Sequence, residues 1–300
     1  MSDLIKLHFP QMEGEHIYHY TSGNGVLGIL QKDKIVLQLT KADSVNDTTE
    51  GFDIFAHLYK ACGNLLQQGV INQSQHDEII KLKDTSNSEL PTTYAGESWV
   101  ILNRQESDVF VMSFCKDKDS LPMWNYYANY GQQGYCLHFN KKHFEGYVKG
   151  FDCHYMFDDV IYSEEDKRHL LETLITSSLK SQDYMMLIAD EINLYQYLFK
   201  HSAFQHEKET RLIIAVPKET KEPTFTTKFK NGRGYLVPYI EWEITKESYP
   251  EKHMFLFDGI TISPLANKEL ENRNMSMYLD KMDYPIGKQR IINSEIPIRF

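Results

Sequence analysis

Between Val109 and Phe139 the chain reads VFVMSFCKDKDSLPMWNYYANYGQQGYCLHF, and the order of residue types there leaves little freedom of fold. Five of the six residues from Val109 to Phe114 are apolar, which predicts a buried strand. Lys116 to Ser120 is a polar loop. Ser120 can cap a helix with Pro122 in its first turn, and Trp124, Tyr127 and Ala128 then share one face by their spacing of three and four. Gly131 and Gly134 end that helix, and Tyr135, Leu137 and Phe139 alternate with Cys136 and His138 in a second strand. Two strands thus bracket one short helix rich in Trp and Tyr. Such rings can hold a flat ligand or simply fill a core, and the stretch itself leaves both readings open.

Upstream, His16 to Tyr20 predicts an aromatic strand, Thr21 to Asn24 a turn with an N-cap, and the residues up to Leu30 a helix carrying Val26, Leu27 and Ile29. A further strand is expected at Ile35–Leu39, followed by the polar loop SVNDTTEG, Ser44 to Gly51. From Phe52 the apolar period becomes helical, with Ile54, Phe55, Leu58 and Tyr59 on one side. Downstream, Ser163 caps an amphipathic run through Leu170, Leu174 and Leu179, and Gln182–Phe199 predicts a second helix. The period changes to that of a strand at about Thr210. Short strands are expected at Thr224–Phe229, Tyr235–Trp242 and Leu256–Ser263, with an edge strand in the tail RIINSEIPIRF. These patterns predict one domain over residues 1–300, with helical insertions at 52–108 and 163–203.

The net charge of −10 disfavours sequence-blind binding to nucleic acid, which depends on Lys and Arg neutralising phosphates. No apolar run approaches the roughly 20 residues of a membrane span. The N-terminus lacks a secretory pattern, and the four cysteines form no CxxC pair, so a cytoplasmic chain with free thiols is expected.

The sequence has no GxGxxG, GxxxxGK[ST], HExxH or GxSxG pattern. His138, His143, His201 and His206 lack cysteines or carboxylates at ligand spacing, and the loop carboxylates Asp47 and Glu50 are too few for a hard cation, so no metal site is expected. What remains is polar groups at strand ends: His19, Ser113, Glu207 and Glu209. Glu209 and Arg211 can also form a plain ion pair along one face of their strand.

Four segments carry a family resemblance: YHYTS (Tyr18–Ser22), VNDTTEG (Val45–Gly51), SFC with PMWNYYANYGQQGYCLHF (Ser113–Phe139), and KHSAFQHEKETRLI (Lys200–Ile213). With DGITISP near Phe257–Pro264 as a weaker match, they resemble the bacterial family catalogued as domain of unknown function 2971. Thr48 and Phe204 stand where that family tends to have Pro and Trp. More distantly the chain is similar to ADP-ribosyltransferases, which carry a His or Arg on the first strand, an aromatic residue and a Ser in a middle strand–helix unit, and a Glu opening a later strand.

That second likeness implies an α+β fold in which a split, mostly antiparallel sheet forms a cleft. It implies NAD as substrate, with ADP-ribose passed to a macromolecular acceptor or NAD hydrolysed, in a setting of bacterial defence or toxin–antitoxin systems. The catalytic residues it implies are Glu209, Tyr127 and His19. His19, Tyr20, Thr21, Ser113, Trp124, Tyr127, Lys200 and Arg211 would bind the nucleotide, with Asn46, Asp47, Glu50 and Glu207 on the cleft rim. Two alternatives stay open. In one, Lys200 and Arg211 hold phosphate in a nucleotide- or nucleic-acid-binding module without NAD chemistry; in the other, the polar residues form a buried network in a non-catalytic interaction protein.

Overall fold

The computed structural model describes residues 16–44, 53–82, 107–127, 133–149, 154–218, 225–232, 234–245, 256–284 and 290–297. Its backbone is organised by β4 (Ser107–Cys115), whose apolar residues are buried on both faces. Before it come β1 (His16–Ser22), α1 (Gly23–Ile29), β2 (Leu30–Gln31), β3 (Lys34–Lys41), α2 (Asp53–Gln67) and α3 (Gln73–Ile80). After it come α4 (Leu121–Tyr127), β5 (Gly134–Asn140), α5 (Lys141–Lys149), β6 (His154–Asp159), α6 (Glu164–Ser178) and α7 (Tyr184–Tyr195). A 3-10 turn (Ser202–Glu207) leads into β7 (Glu209–Pro217), β8 (Lys228–Gly232), β9 (Tyr235–Thr245), β10 (Phe257–Ile262), α8 (Lys268–Lys281) and β11 (Ile291–Asn293).

Two of the expected caps form. Ser22 accepts the Gly25 N–H at the start of α1, and Ser163 accepts the Asp166 N–H at the start of α6. Gly25 has a steric reason as well, because a Cβ there would fall 1.8 Å from Thr21 Oγ1. Two expectations need correction: the strand expected at 224–229 lies at Lys228–Gly232, and the helix expected to Phe199 ends at Tyr195, with Phe199 instead bridging to Ile161. Three elements that the patterns did not predict, α5, β6 and α8, complete the described structure.

The fold is α+β, with one mostly antiparallel, mixed sheet of eleven described strands. Its main path runs β11-β10-β5-β1-β4-β3-β9-β8, with β2 paired to β3, and only β10 and β11 are parallel. β7 pairs with β4 from Ser107↔Pro217 to Cys115↔Glu209, and β6 lies on β7. With one edge of β4 taken along its whole length, β1 and β3 share the other. β1 meets it only at Tyr18↔Cys115, and β3 only at Thr40↔Val111 and Lys41↔Phe110. Ser113 falls between those contacts, so the sheet divides beside it.

Alternation gives the sheet two faces. The inner face buries Ile17, Leu37, Phe110, Phe114, Leu137, Leu212 and Trp242 with residues of α1, α5 and α8. The outer face carries Val109, Val111, Ile213 and Ala215, which pack under α2, α6 and α7. Asn64 of α2 donates to Glu172 of α6 at 2.9 Å, so helices expected as two separate insertions form one layer. Truncating a side chain such as Phe114 or Ile213 in these layers would cost about 2–5 kcal/mol. Among the described residues no helix is long and apolar enough to cross a membrane.

Candidate functional site

The site is built where the helical layer returns to the sheet. Lys208 ends the 3-10 turn in the left-handed region (φ 45°, ψ 52°), and its carbonyl accepts the Lys116 N–H at 3.1 Å. This reversal carries the chain from the turn onto the outer face, so Glu207, Glu209 and Lys200 meet within a buried space. All four charged residues here are at most 6% exposed: Lys200, Glu207, Glu209 and Arg211. Lys200 Nζ donates to Glu207 Oε2 and Glu209 Oε1, each at 2.9 Å. Arg211 Nε donates to Glu209 Oε2 at 2.7 Å, and its Nη1 to the Tyr197 carbonyl at 2.7 Å. The Glu209 backbone N–H donates to Tyr162 Oη at 3.0 Å.

The two carboxyls sit in opposed environments. Burial, with Glu209 beside it, pushes Glu207 well above the usual carboxylate range. Burial also raises Glu209, but Arg211 and Lys200 outweigh it and hold the group ionised, well below that range. Lys200 also lies over the Phe204 ring, 4.9 Å from its centroid.

On the same face, Cys115 lies opposite Glu209 and belongs to a cluster with Tyr20, Met123, Trp124 and Cys136, against which Tyr18 and Tyr127 pack. Tyr20 and Trp124 meet edge to face at 4.7 Å. Their polar atoms are used internally. Tyr20 Oη donates to the Asp117 carbonyl and accepts the Ser120 N–H, both at 2.8 Å, while Trp124 Nε1 donates to Asp119 Oδ1 at 2.8 Å. These two rings therefore brace the loop before α4. Exposed Tyr126 reaches across to the 3-10 turn, its ring 5.7 Å from that of His206. His206 Nδ1 bonds the Ala203 carbonyl, and its buried Nε2 has no hydrogen-bond partner among the described residues.

The structure groups the expected residues into three sets rather than one cleft. Lys200, Glu207, Glu209 and Arg211 form the ion network; Tyr20, Trp124 and Tyr127 form the aromatic cluster next to it. His19 and Ser113 meet at the split, where His19 Nδ1 lies 3.2 Å from the Ser113 carbonyl that neither β1 nor β3 pairs. The expectation that His19 shares a cleft with Glu209 is corrected here. Pairing with Leu137 turns His19 to the inner face, where its ring meets Phe114, whereas pairing with Cys115 turns Glu209 outward. Burial lowers the His19 pKa, so the imidazole fills the split as a neutral group. Thr21 is likewise turned inward, opposite Tyr135. The rim residues Asn46, Asp47 and Glu50 lie outside the described residues.

Tyr162 and Asp158 escaped the sequence reading, the second because β6 did not register as a strand. Asp158 stands opposite Arg211, and burial pushes its carboxyl up to about 7. Among the described residues no group of three or more His, Cys, Asp or Glu side chains is placed to hold a metal ion.

No curated protein and no solved structure matches the chain. A family model described as a protein of unknown function, DUF2971, matches residues 123–212, from α4 into β7. The aromatic helix and the HEKETR segment that forms the ion network both fall in that span, over which the chain is similar to the DUF2971 family.

Proposed function

We propose that the outer-face seam between α4 and the 3-10 turn takes NAD and supports ADP-ribosyl transfer, or NAD hydrolysis when water is the acceptor. One observation carries the reading. Two carboxyls two residues apart share one lysine, yet one is held ionised and the other is pushed toward neutrality. Such a divergence is how one site supplies both a fixed charge and a proton-transfer group.

In this reading the bond between nicotinamide and ribose breaks, and nicotinamide leaves with the bonding pair. Glu209, ionised, stabilises the positive charge that builds on the ribose. Glu207 takes the proton of the attacking hydroxyl or water as the new bond to the ribose carbon forms. The Tyr126 and Tyr127 rings border the seam as faces for a planar group. His19 acts at a distance, closing the split beside Ser113. Lys200 and Arg211 are engaged by carboxylates, which weighs against their holding phosphate in a binding module without chemistry.

One observation favours a second reading, a structural network in a non-catalytic protein: both Glu209 oxygens are already occupied. Glu207→Gln separates the two. A neutral amide imitates the protonated carboxyl, so melting should stay within a few degrees of wild type. Nicotinamide release should fall by about 10²-fold or more if Glu207 moves a proton. Wild-type protein that releases no nicotinamide, or a variant as fast as wild type, rejects the transferase reading.

A further inference from the structure

Most sheet lysines in the described structure have a carboxylate. Lys34 meets Glu243, Lys41 meets Asp108 and Lys228 meets Glu241. Lys230, on the same face of β8 as Lys228, meets none. At its level the neighbouring strands offer neutral groups: Thr40 Oγ1 at 3.3 Å, Gln38 Oε1 at 3.4 Å, and the Tyr239 ring with its centroid 5.2 Å from the ammonium. The side chain is half-buried, and burial lowers its pKa with no anion to offset it. A cation withdrawn from water without a counter-charge is a standing cost, and an arriving anion removes it.

Lys230 Nζ reaches Thr40, which pairs with Val111 where β3 still meets β4, two residues before the split at Ser113, on the outer face that also carries Arg211 and Glu209. Thr40 Oγ1 accepts from Lys230, and a hydroxyl that accepts still carries one O–H to donate.

We propose that Lys230, with Thr40, is a phosphate seat for the nucleotide, a role that the alternative of a binding module without NAD chemistry gave to Lys200 and Arg211. This rests on the reading of the seam as a nucleotide site and names where the pyrophosphate of such a ligand is held. Charge-assisted hydrogen bonds to phosphate set the expected size of the effect.

Calorimetric titration of wild type, Lys230→Met and Lys230→Arg with ADP-ribose, adenosine and inorganic pyrophosphate tests it. Lys230→Met should weaken ADP-ribose by at least about tenfold and flatten its salt dependence. Lys230→Arg should retain most of the affinity, and adenosine should bind all three proteins alike. Equal ADP-ribose affinity in wild type and Lys230→Met overturns the phosphate seat while leaving nicotinamide release as a separate test of the transferase reading. Pyrophosphate binding that depends on Lys230 while ADP-ribose binding does not overturns the assignment to a nucleotide. Wild-type protein with no affinity for ADP-ribose overturns it together with the nucleotide reading.

Discussion

Arg211 and Lys230 lie on the same face of one sheet, on either side of β4, and they solve the problem of a desolvated cation in opposite ways. Arg211 is surrounded: Glu209 faces its Nε, the Tyr197 carbonyl takes an N–H, and Asp158 stands opposite on β6. Among the described residues, Lys230 has only neutral oxygens and a ring beside it. A buried ion pair is weak evidence of net stabilisation, but removing one partner leaves a costly orphan charge. The difference therefore teaches which cation the fold needs and which one is open to a ligand. Arg211 is committed to holding Glu209 ionised. Lys230 is spared for something that arrives from outside.

The largest expected effect breaks the committed side. Arg211→Met keeps much of the apolar stem but leaves Glu209 with a single cation and frees the Tyr197 carbonyl. It should cost about 3–5 kcal/mol in denaturant unfolding. Restoring the balance with Glu209→Gln in the same chain should recover part of that loss, because the two residues are in direct contact and their effects do not add. A double variant as unstable as the sum of the singles would show that the pair is not coupled.

How much of this was legible beforehand depended on the strength of the local pattern. The stretch from Val109 to Phe139 fixed a strand, a helix and a strand, observed as β4, α4 and β5, because the apolar run, the cap and the two-residue alternation agree. α8 was missed because KELENRNMSMYLDK buries only Met275 and Leu279, too few to mark a face. At the site, HEKETR named the right charges but not their pairing. That depends on the left-handed Lys208, and on Lys200 returning from the helical layer, neither of which has a sequence period. The likeness groups His19 with Glu209, whereas the pairing turns it to the inner face; His16-Ile-Tyr-His-Tyr20 carries aromatic or apolar residues on both faces, so alternation does not say which face meets the core. Lys230 had a signal that went unused. The turn between β8 and β9 sets a register in which Lys228 reaches Glu241 while Lys230, two residues on, reaches no acid.

A middle-sized effect tests the reverse case, an unpaired acid on α7 in the same outer layer. Glu191 Oε2 and Asp190 Oδ1 are buried with no hydrogen-bond partner among the described residues. Burial pushes Glu191 up to about 7, with Asp190 adding to the shift, and Asp190 itself up to about 6. An acid raised in the folded state favours folding while the unfolded chain is still protonated. That advantage is lost as pH rises from the ordinary carboxylate range to about 7. Glu191→Gln should therefore change stability little near pH 4 and raise it by on the order of 1–3 kcal/mol at pH 8. Unfolding curves at the two pH values that shift equally would mean that Glu191 is solvated or paired.

The smallest expected effect falls on the open side and sharpens the contrast most. Lys230→Met retains much of the apolar stem and removes a charge that no carboxylate among the described residues compensates, so it should change stability by less than about 1 kcal/mol in ligand-free protein. The sign should be slightly favourable or neutral, because relief from burying the ammonium offsets the lost contacts to Thr40 and the ring. The measurement is the same unfolding experiment used for Arg211→Met. With ADP-ribose present, wild type should gain stability in proportion to its occupancy, and Lys230→Met should gain less at the same ligand concentration. A loss of several kcal/mol in the ligand-free variant would place Lys230 beside Arg211 as a structural cation, and the distinction between the two sides of β4 would fall.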